Sequence, residues 1–278
     1  MRPARVVGVR AARRRAVSPV VATVILTSVM LTIVSVALFY STSLIDLNRQ
    51  AMEYEYAKEQ LTYAATALEQ VAFGAGGARY VRFSLVSTRL DVVPSPDEIE
   101  VRASGATIFR GRLASLRVCG GPLVTTVPRL LYPEVGSLEA ELGRLVVGAG
   151  EPMALVYENF SGGACAYLAA RLRAFYNSQI SVTEGGAPRC YNFFTLHLLN
   201  LTRGRLGGVG TVPVVLRNNG TKIVEYRFPG ASSVTLAVTQ GRRYQEVTLA
   251  GPSSCGGRPV DGSVLVVVVA QVTVSTVP

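Results

Sequence analysis

From Val17 to Ile45 the sequence carries no charged residue, and these 29 positions read VSPVVATVILTSVMLTIVSVALFYSTSLI. About 20 apolar residues in a helix suffice to cross a ~30 Å hydrocarbon layer. The run therefore predicts a helix that spends its whole length in apolar surroundings. Six arginines (Arg2, Arg5, Arg10, Arg13, Arg14 and Arg15) precede it, with no acidic residue among them. An arginine at mid-bilayer costs about 2.5–3.5 kcal/mol on insertion scales, so this cluster stays on one side. The positive-inside rule puts residues 1–15 in the cytoplasm and the chain beyond about residue 45 outside. An ordinary secretory signal has an apolar region of about 7–15 residues ahead of its cleavage site. The present run is about twice that, which favours a helix kept in the mature protein.

Helical periodicity continues past the uncharged run. Leu47, Ala51, Tyr54, Lys58, Leu61, Ala65, Leu68 and Ala72 follow one another at alternating steps of four and three. That is a heptad seam with one violation, Lys58. Neither glycine nor proline occurs between Val20 and Phe73, whereas Gly74, Gly76 and Gly77 supply a stop. The pattern predicts one helix over 17–73, about 85 Å long at 1.5 Å per residue. Its seam calls for apolar cover, either from helices of the same kind or from the chain's own downstream domain. Residues 74–78 read as a glycine-rich hinge.

From Arg79 the period becomes strand-like. Tyr80–Val86, Glu98–Arg102, Thr107–Arg110 and Arg117–Cys119 alternate, as do later segments through Val212–Arg217, Ile223–Phe228 and Val264–Val274. Turn signals such as Asn218-Asn219-Gly220 separate them. Ser137–Leu145 reads as a short helix, and Tyr167–Phe175 suits a strand or a helix. Val264–Val269 is continuously apolar, as in a strand buried on both faces. The expected fold class is α+β: a long hydrophobic N-terminal helix, then an all-β, sandwich-like extracellular head over 79–278. A candidate sub-boundary falls near 133–152.

Cys119, Cys165, Cys190 and Cys255 all lie in that head. Two disulfides are expected, with three pairings open, and one bridge or buried thiols as the alternative. No C-x-x-C spacing points to zinc. Asn159-Phe-Ser161, Asn200-Leu-Thr202 and Asn219-Gly-Thr221 match the N-glycosylation pattern, all on the side the topology places outside.

No residue pattern assembles a catalytic, cofactor-binding or metal site. His197, the single histidine, sits in an apolar strand-like stretch and reads as a hydrogen-bonded or edge side chain. Glu98 and Glu100 share a strand face that reads as solvated. No Gly-x-Ser-x-Gly elbow is present, and Gly74-Ala-Gly-Gly follows a helix instead of opening one, unlike a phosphate loop. The formal charge of +10 does not imply nucleic acid. With the six leading arginines set aside, 22 basic residues face 18 acidic ones, too mild a balance for a polyanion surface. A hydrophobic fraction of 49% with 17% charged residues excludes intrinsic disorder. The chain reads as an architectural protein, not an enzyme.

The junction Arg15-Ala16-Val17-Ser18-Pro19-Val20-Val21-Ala22, behind its basic leader, resembles the N-terminus of archaeal type IV pilin-like proteins with a class III signal peptide. The resemblance covers about residues 10–50. It implies cleavage after Ala16 by a prepilin peptidase, so that Arg15, Ala16 and Val17 form the processing site and residues 1–16 are removed. It also implies a helix that leaves membrane lipid to pack against copies of itself or other pilins through residues 17–73, with pilus assembly machinery as a partner. The glutamate that many bacterial members carry near the mature N-terminus is Val21 here, which places the likeness with the archaeal members. The alternative is a single-pass surface protein whose head binds a ligand, a glycan or a surface layer.

Overall fold

A computed structural model describes residues 19–74 and 77–276. The chain divides between Asn48 and Arg49 into two units. Helix α1 (Pro19–Phe73, 55 residues) runs through this division without a break, as expected where no glycine or proline interrupts it. It ends where the sequence changes to glycine: a Cβ at Gly74 would lie 2.8 Å from the carbonyl oxygen of Gln70. Of the 74–78 hinge, residues 75–76 lie outside the described residues, as do residues 1–18.

In the first unit every described residue, Pro19 to Asn48, is exposed. The second unit begins inside the helix at Arg49, not at Arg79, so the last helical turns belong to the β-rich body. The strands follow in chain order: β1 (Ala78–Leu85), β2 (Arg89–Pro94), β3 (Ile99–Ala103), β4 (Ala106–Gly111), β5 (Ala114–Cys119) and β6 (Arg129–Tyr132). After the short α2 (Leu138–Gly143) come β7 (Val146–Val147), β8 (Ala154–Phe160), β9 (Ala164–Ala170), β10 (Leu172–Glu184) and β11 (Ala187–Arg203). The chain ends with β12 (Gly210–Pro229), β13 (Ser233–Gln240), β14 (Arg243–Ala250), β15 (Ser254–Cys255), β16 (Arg258–Pro259) and β17 (Gly262–Thr276).

These strands form a six-stranded sheet in the order β1-β12-β17-β11-β10-β7, a five-stranded sheet β2-β5-β9-β8-β6, a four-stranded sheet β14-β13-β3-β4 and the small β15-β16 hairpin. The α+β class expected from the sequence is what the chain adopts, with a predominantly β body after one long apolar helix. Segment 133–152 carries α2 and β7 within this single unit. Tyr167–Phe175 is extended, divided at Arg171 between two strands of different sheets.

The six-stranded sheet is buried on opposite faces at its two ends. Phe194, Leu196 and Leu198 of β11 and Leu265 and Val267 of β17 join Val101, Leu236 and neighbours of the four-stranded sheet in one core. Three residues along, Leu201 of β11 and Val272 and Val274 of β17 enter a second core on the other face. Successive strand side chains point to opposite faces, so Leu198 and Leu199 belong to different cores. The unbroken apolar run at 264–269 is explained by this change of buried face: Val266, Val268 and Val269 are only half-buried. The second core also receives Ala57, Leu61, Ala64, Ala65, Leu68 and Ala72 of α1 together with Phe83, Leu116 and Leu168. Four of these six helical residues are alanines, which let the helix approach the sheets closely.

Asn218-Asn219-Gly220 is not a turn. The strand continues through it as a β-bulge, with a shift in the pairing of β12 to β17 between Asn218 and Gly220. A polar residue is thereby aimed off the ladder, and its use is described below.

Candidate functional site: the apolar segment and its anchorage

The helix has two chemically distinct parts. In Pro19–Asn48 no residue is buried, although Val20, Ile25, Leu31, Ile33, Leu38 and Phe39 are among the large apolar side chains displayed. This part is long and apolar enough to span a membrane. Six of its hydroxyls are already satisfied. Thr23, Thr27, Ser28, Thr32, Thr42 and Ser43 donate to backbone carbonyls three or four residues back, at 2.8–3.0 Å. A hydroxyl without a partner in an apolar medium costs several kcal/mol, and these bonds remove that cost.

Downstream of Arg49 the seam from Tyr54 to Ala72 is occupied by the chain's own β unit, the second of the two covers the sequence allowed. Polar side chains along that face hold it there. Gln50 Oε1 accepts from the Leu123 amide at 3.3 Å. Glu53 accepts from the amides of Val86, Ser87 and Thr88 and from the hydroxyls of Ser87 and Thr88, at 2.6–3.3 Å. Glu69 accepts from the amides of Met153 and Ala154 at 2.6 and 2.9 Å and pairs with Arg173 at 2.7 Å. The helix passes so close to the chain after β5 that a Cβ on Gly120 would meet the Tyr54 ring at 3.2 Å.

Lys58, the seam's exception, is the centre of a buried ion cluster. Its ammonium lies 3.0 Å from Glu158 and 2.7 Å from Glu55. Glu158 also binds Arg129 and accepts from Tyr54 Oη at 3.4 Å. The Lys58 and Glu158 side chains are 6% and 2% exposed. Burial and the Glu158 charge push the Tyr54 phenol up. Burial alone would raise the Glu158 carboxyl, but hydrogen bonds from Thr126, Lys58 and Arg129 outweigh it and hold the group below its ordinary range.

Glu53 behaves the same way: burial opposes ionisation, and the bonds from Ser87, Val86 and Thr88 overcome it and lower the pKa from 4.5. A carboxyl depressed in the folded state adds stability that is complete above its unfolded pKa and is lost as pH falls through the folded one. Acid titration of unfolding should therefore show a plateau above about pH 5 and a decline below about 4.5. Glu53→Gln should flatten that decline, read by denaturant melts at stepped pH; an unchanged slope would exclude Glu53 as a source.

The bulge in β12 serves the other end of the helix. Asn218 Nδ2 donates to the carbonyls of Val71 and Ala72 at 3.2 and 3.0 Å, and the Asn218 amide bonds to Gly77. Helix C-termini leave carbonyls without partners, and this side chain supplies them. Asn218→Ala should cost about 1–3 kcal/mol. Asn218→Asp should cost more, because it sets acceptor against acceptor at the negative end of the helix. Urea unfolding of the three proteins gives the order directly.

Of the residues singled out in the sequence, Arg15, Ala16 and Val17 lie outside the described residues. The cysteines pair as Cys119–Cys165 and Cys190–Cys255. The first joins directly opposed residues of β5 and β9; the second ties β11 to the β15-β16 hairpin. Asn159 and Asn219 are exposed, while Asn200 is half-buried in β11, an interior strand of its sheet.

His197 is neither at an edge nor hydrogen-bonded through Nδ1. It stands on interior strand β11, stacked on Phe73 at 4.2 Å between ring centroids, with the Phe175 edge at 5.6 Å. Burial, with the neighbouring Arg173 charge, pushes its pKa down to about 4. Apolar packing at the helix end explains the position. Glu98 and Glu100 form ion pairs with Arg110 and Arg102. Among the described residues, no group of three or more His, Cys, Asp or Glu is placed to hold a metal ion.

Sequence reading missed Gln50, Glu53, Glu69, Glu158 and Asn218. Only the helical three carried a signal, since positions 50, 53 and 69 fall on or beside the stripe of the seam. Comparison with protein-family models, curated proteins and solved structures finds no match for this chain.

Proposed function

We propose that this protein is a structural subunit, major or minor, of an archaeal type IV pilus-like surface filament. Its apolar segment holds it in the membrane first and joins it to sibling subunits afterwards. The observation that carries this reading is the division of α1. Residues Pro19–Asn48 expose apolar side chains all round, whereas the seam beyond Tyr54 is already covered. A helix apolar on every side is stable in lipid and equally stable among its own copies, but not in water. The copies would meet through the exposed part of 17–73, with the β unit displayed on the cell surface. Two disulfides suit an oxidising exterior. The basic leader and the Arg15-Ala16-Val17 junction support processing by a prepilin peptidase.

The alternative is a permanent single-pass surface protein whose β head binds a ligand, a glycan or a surface layer, since 29 uncharged residues are enough for one bilayer crossing. Intact mass of membrane-extracted protein, with sheared surface material examined by microscopy and peptide identification, separates the two. The filament reading expects loss of residues 1–16, blocked by Arg15→Glu or Ala16→Asp, and the mature chain in sheared fibres. A retained leader with nothing released by shearing overturns it and leaves the anchor.

A further inference from the structure

We propose that the end of the β unit at which the chain enters it is a lipid-facing surface that rests on anionic headgroups. The inference rests on the membrane reading of the apolar segment and adds a second contact to it. Three loops meet at that end. Val86–Thr88, between β1 and β2, is fastened to Glu53. Gly120–Val124, after β5, is fastened to Gln50. The loop from Gly204 to Val209 lies beside the first, because Leu85 pairs with Gly210 and because Thr88, Arg89, Leu206 and Gly208 line one cavity of about 440 Å³.

Each loop presents one apolar side chain to the outside: Val86 is 50% exposed, Leu123 49% and Val209 84%. Single exposed apolar residues are ordinary on a soluble surface. Here three converge around Gln50 and Glu53, within eight residues of the end of the uncharged run at Ile45. The charge at this end is mostly basic, with Asp46 as the exposed carboxylate beside Ile45. Arg49, Arg89 and Arg205 are exposed, and among the described residues none of them forms an ion pair. Arg203 pairs with Asp91 at 3.2 Å. The nearby carboxylate of Glu53 is spent on loop amides and hydroxyls. Apolar tips set among unpaired guanidinium groups match a headgroup layer: short apolar side chains reach the acyl boundary while arginines meet phosphates. The loops' own hydrogen bonds are made inward, to Glu53, Gln50, Val274 and Thr276, which leaves their tips free to meet that layer.

The test uses the full chain reconstituted into vesicles of phosphatidylcholine, with or without phosphatidylglycerol as the anionic component. Flotation reports whether the apolar segment has inserted, and amide exchange of 86–88, 120–124 and 204–209 reports the face. On anionic vesicles these loops should exchange about tenfold more slowly than on neutral ones, and added salt should reduce the difference. Val86→Asp/Leu123→Asp/Val209→Asp and, separately, Arg89→Glu/Arg205→Glu should abolish it, while both variants still float. Protein that floats with both vesicles but exchanges equally fast on each overturns the inference and leaves the membrane reading intact. Protein that does not float overturns both.

Discussion

Replacing Glu158 with leucine should destabilise the β unit by about 3–5 kcal/mol, whereas the double change Lys58→Met/Glu158→Leu should recover most of that loss. The argument turns on asymmetry. Lys58 is nearly sequestered, and with Glu158 gone its remaining partner is Glu55, whose side chain is 64% exposed. Tyr54 Oη loses its acceptor at the same time. A buried charge stripped of its partner costs far more than the pair contributes when intact, because the pair already bears its desolvation. Converting both members to apolar side chains removes the charge and the requirement together. Denaturant melts of the wild type, both single variants and the double variant form the cycle. If the double variant is as unstable as Glu158→Leu alone, the cluster is not what couples α1 to β8.

Removing both disulfides should lower stability by several kcal/mol more than removing either. Cys119–Cys165 and Cys190–Cys255 close loops with sequence separations of 46 and 65. The chain-entropy account assigns each about 4 kcal/mol, with a slightly larger share for the longer loop. The two sites differ in what remains after cleavage. Cys119 and Cys165 stay opposed in a β5-β9 ladder that has its own hydrogen bonds. The β15-β16 hairpin spans only two residues a side. Its flanks are fastened by Asn192 on the Pro252 carbonyl and by Asp261 on Arg189 and Cys190, but within the hairpin only the Cys255 bridge and the bond from Gln179 to the Ser254 carbonyl reach the main sheet. Cys190→Ser/Cys255→Ser should therefore raise protease sensitivity near 251–260 before global unfolding, and Cys119→Ser/Cys165→Ser should not. Equal local cleavage in both variants would refute this difference.

How much of this was legible in the sequence depends on the range of the interactions. The helix was readable because its determinants are local: an unbroken run without glycine or proline, and a glycine stop. Lys58 was visible as an anomaly, but its explanation lies one hundred residues away at Glu158. Asn218-Asn219-Gly220 carries the residues of a tight turn, yet pairing with β17 on both sides overrode local preference and left a bulge. Strands β2 and β6, four to six residues long and bordered by prolines, lacked enough alternation to be seen. Sheet order was not legible at all. Nothing local tells β17 to run parallel to β11 and antiparallel to β12, and the change of buried face along both strands disguises their period.

The position of β17 decides whether the largest sheet can form as one. The strand within the largest sheet that lies between β12 and β11 is β17, the last in chain order among the described residues. Without Gly262–Thr276 the β1-β12 and β10-β11 ladders have nothing to join them into one sheet, and both hydrophobic cores lose the residues β17 gives them. Loss of β17 would therefore leave two separate ladders and two opened cores exposed to proteolysis, so the integrity of the whole β unit depends on one fifteen-residue strand.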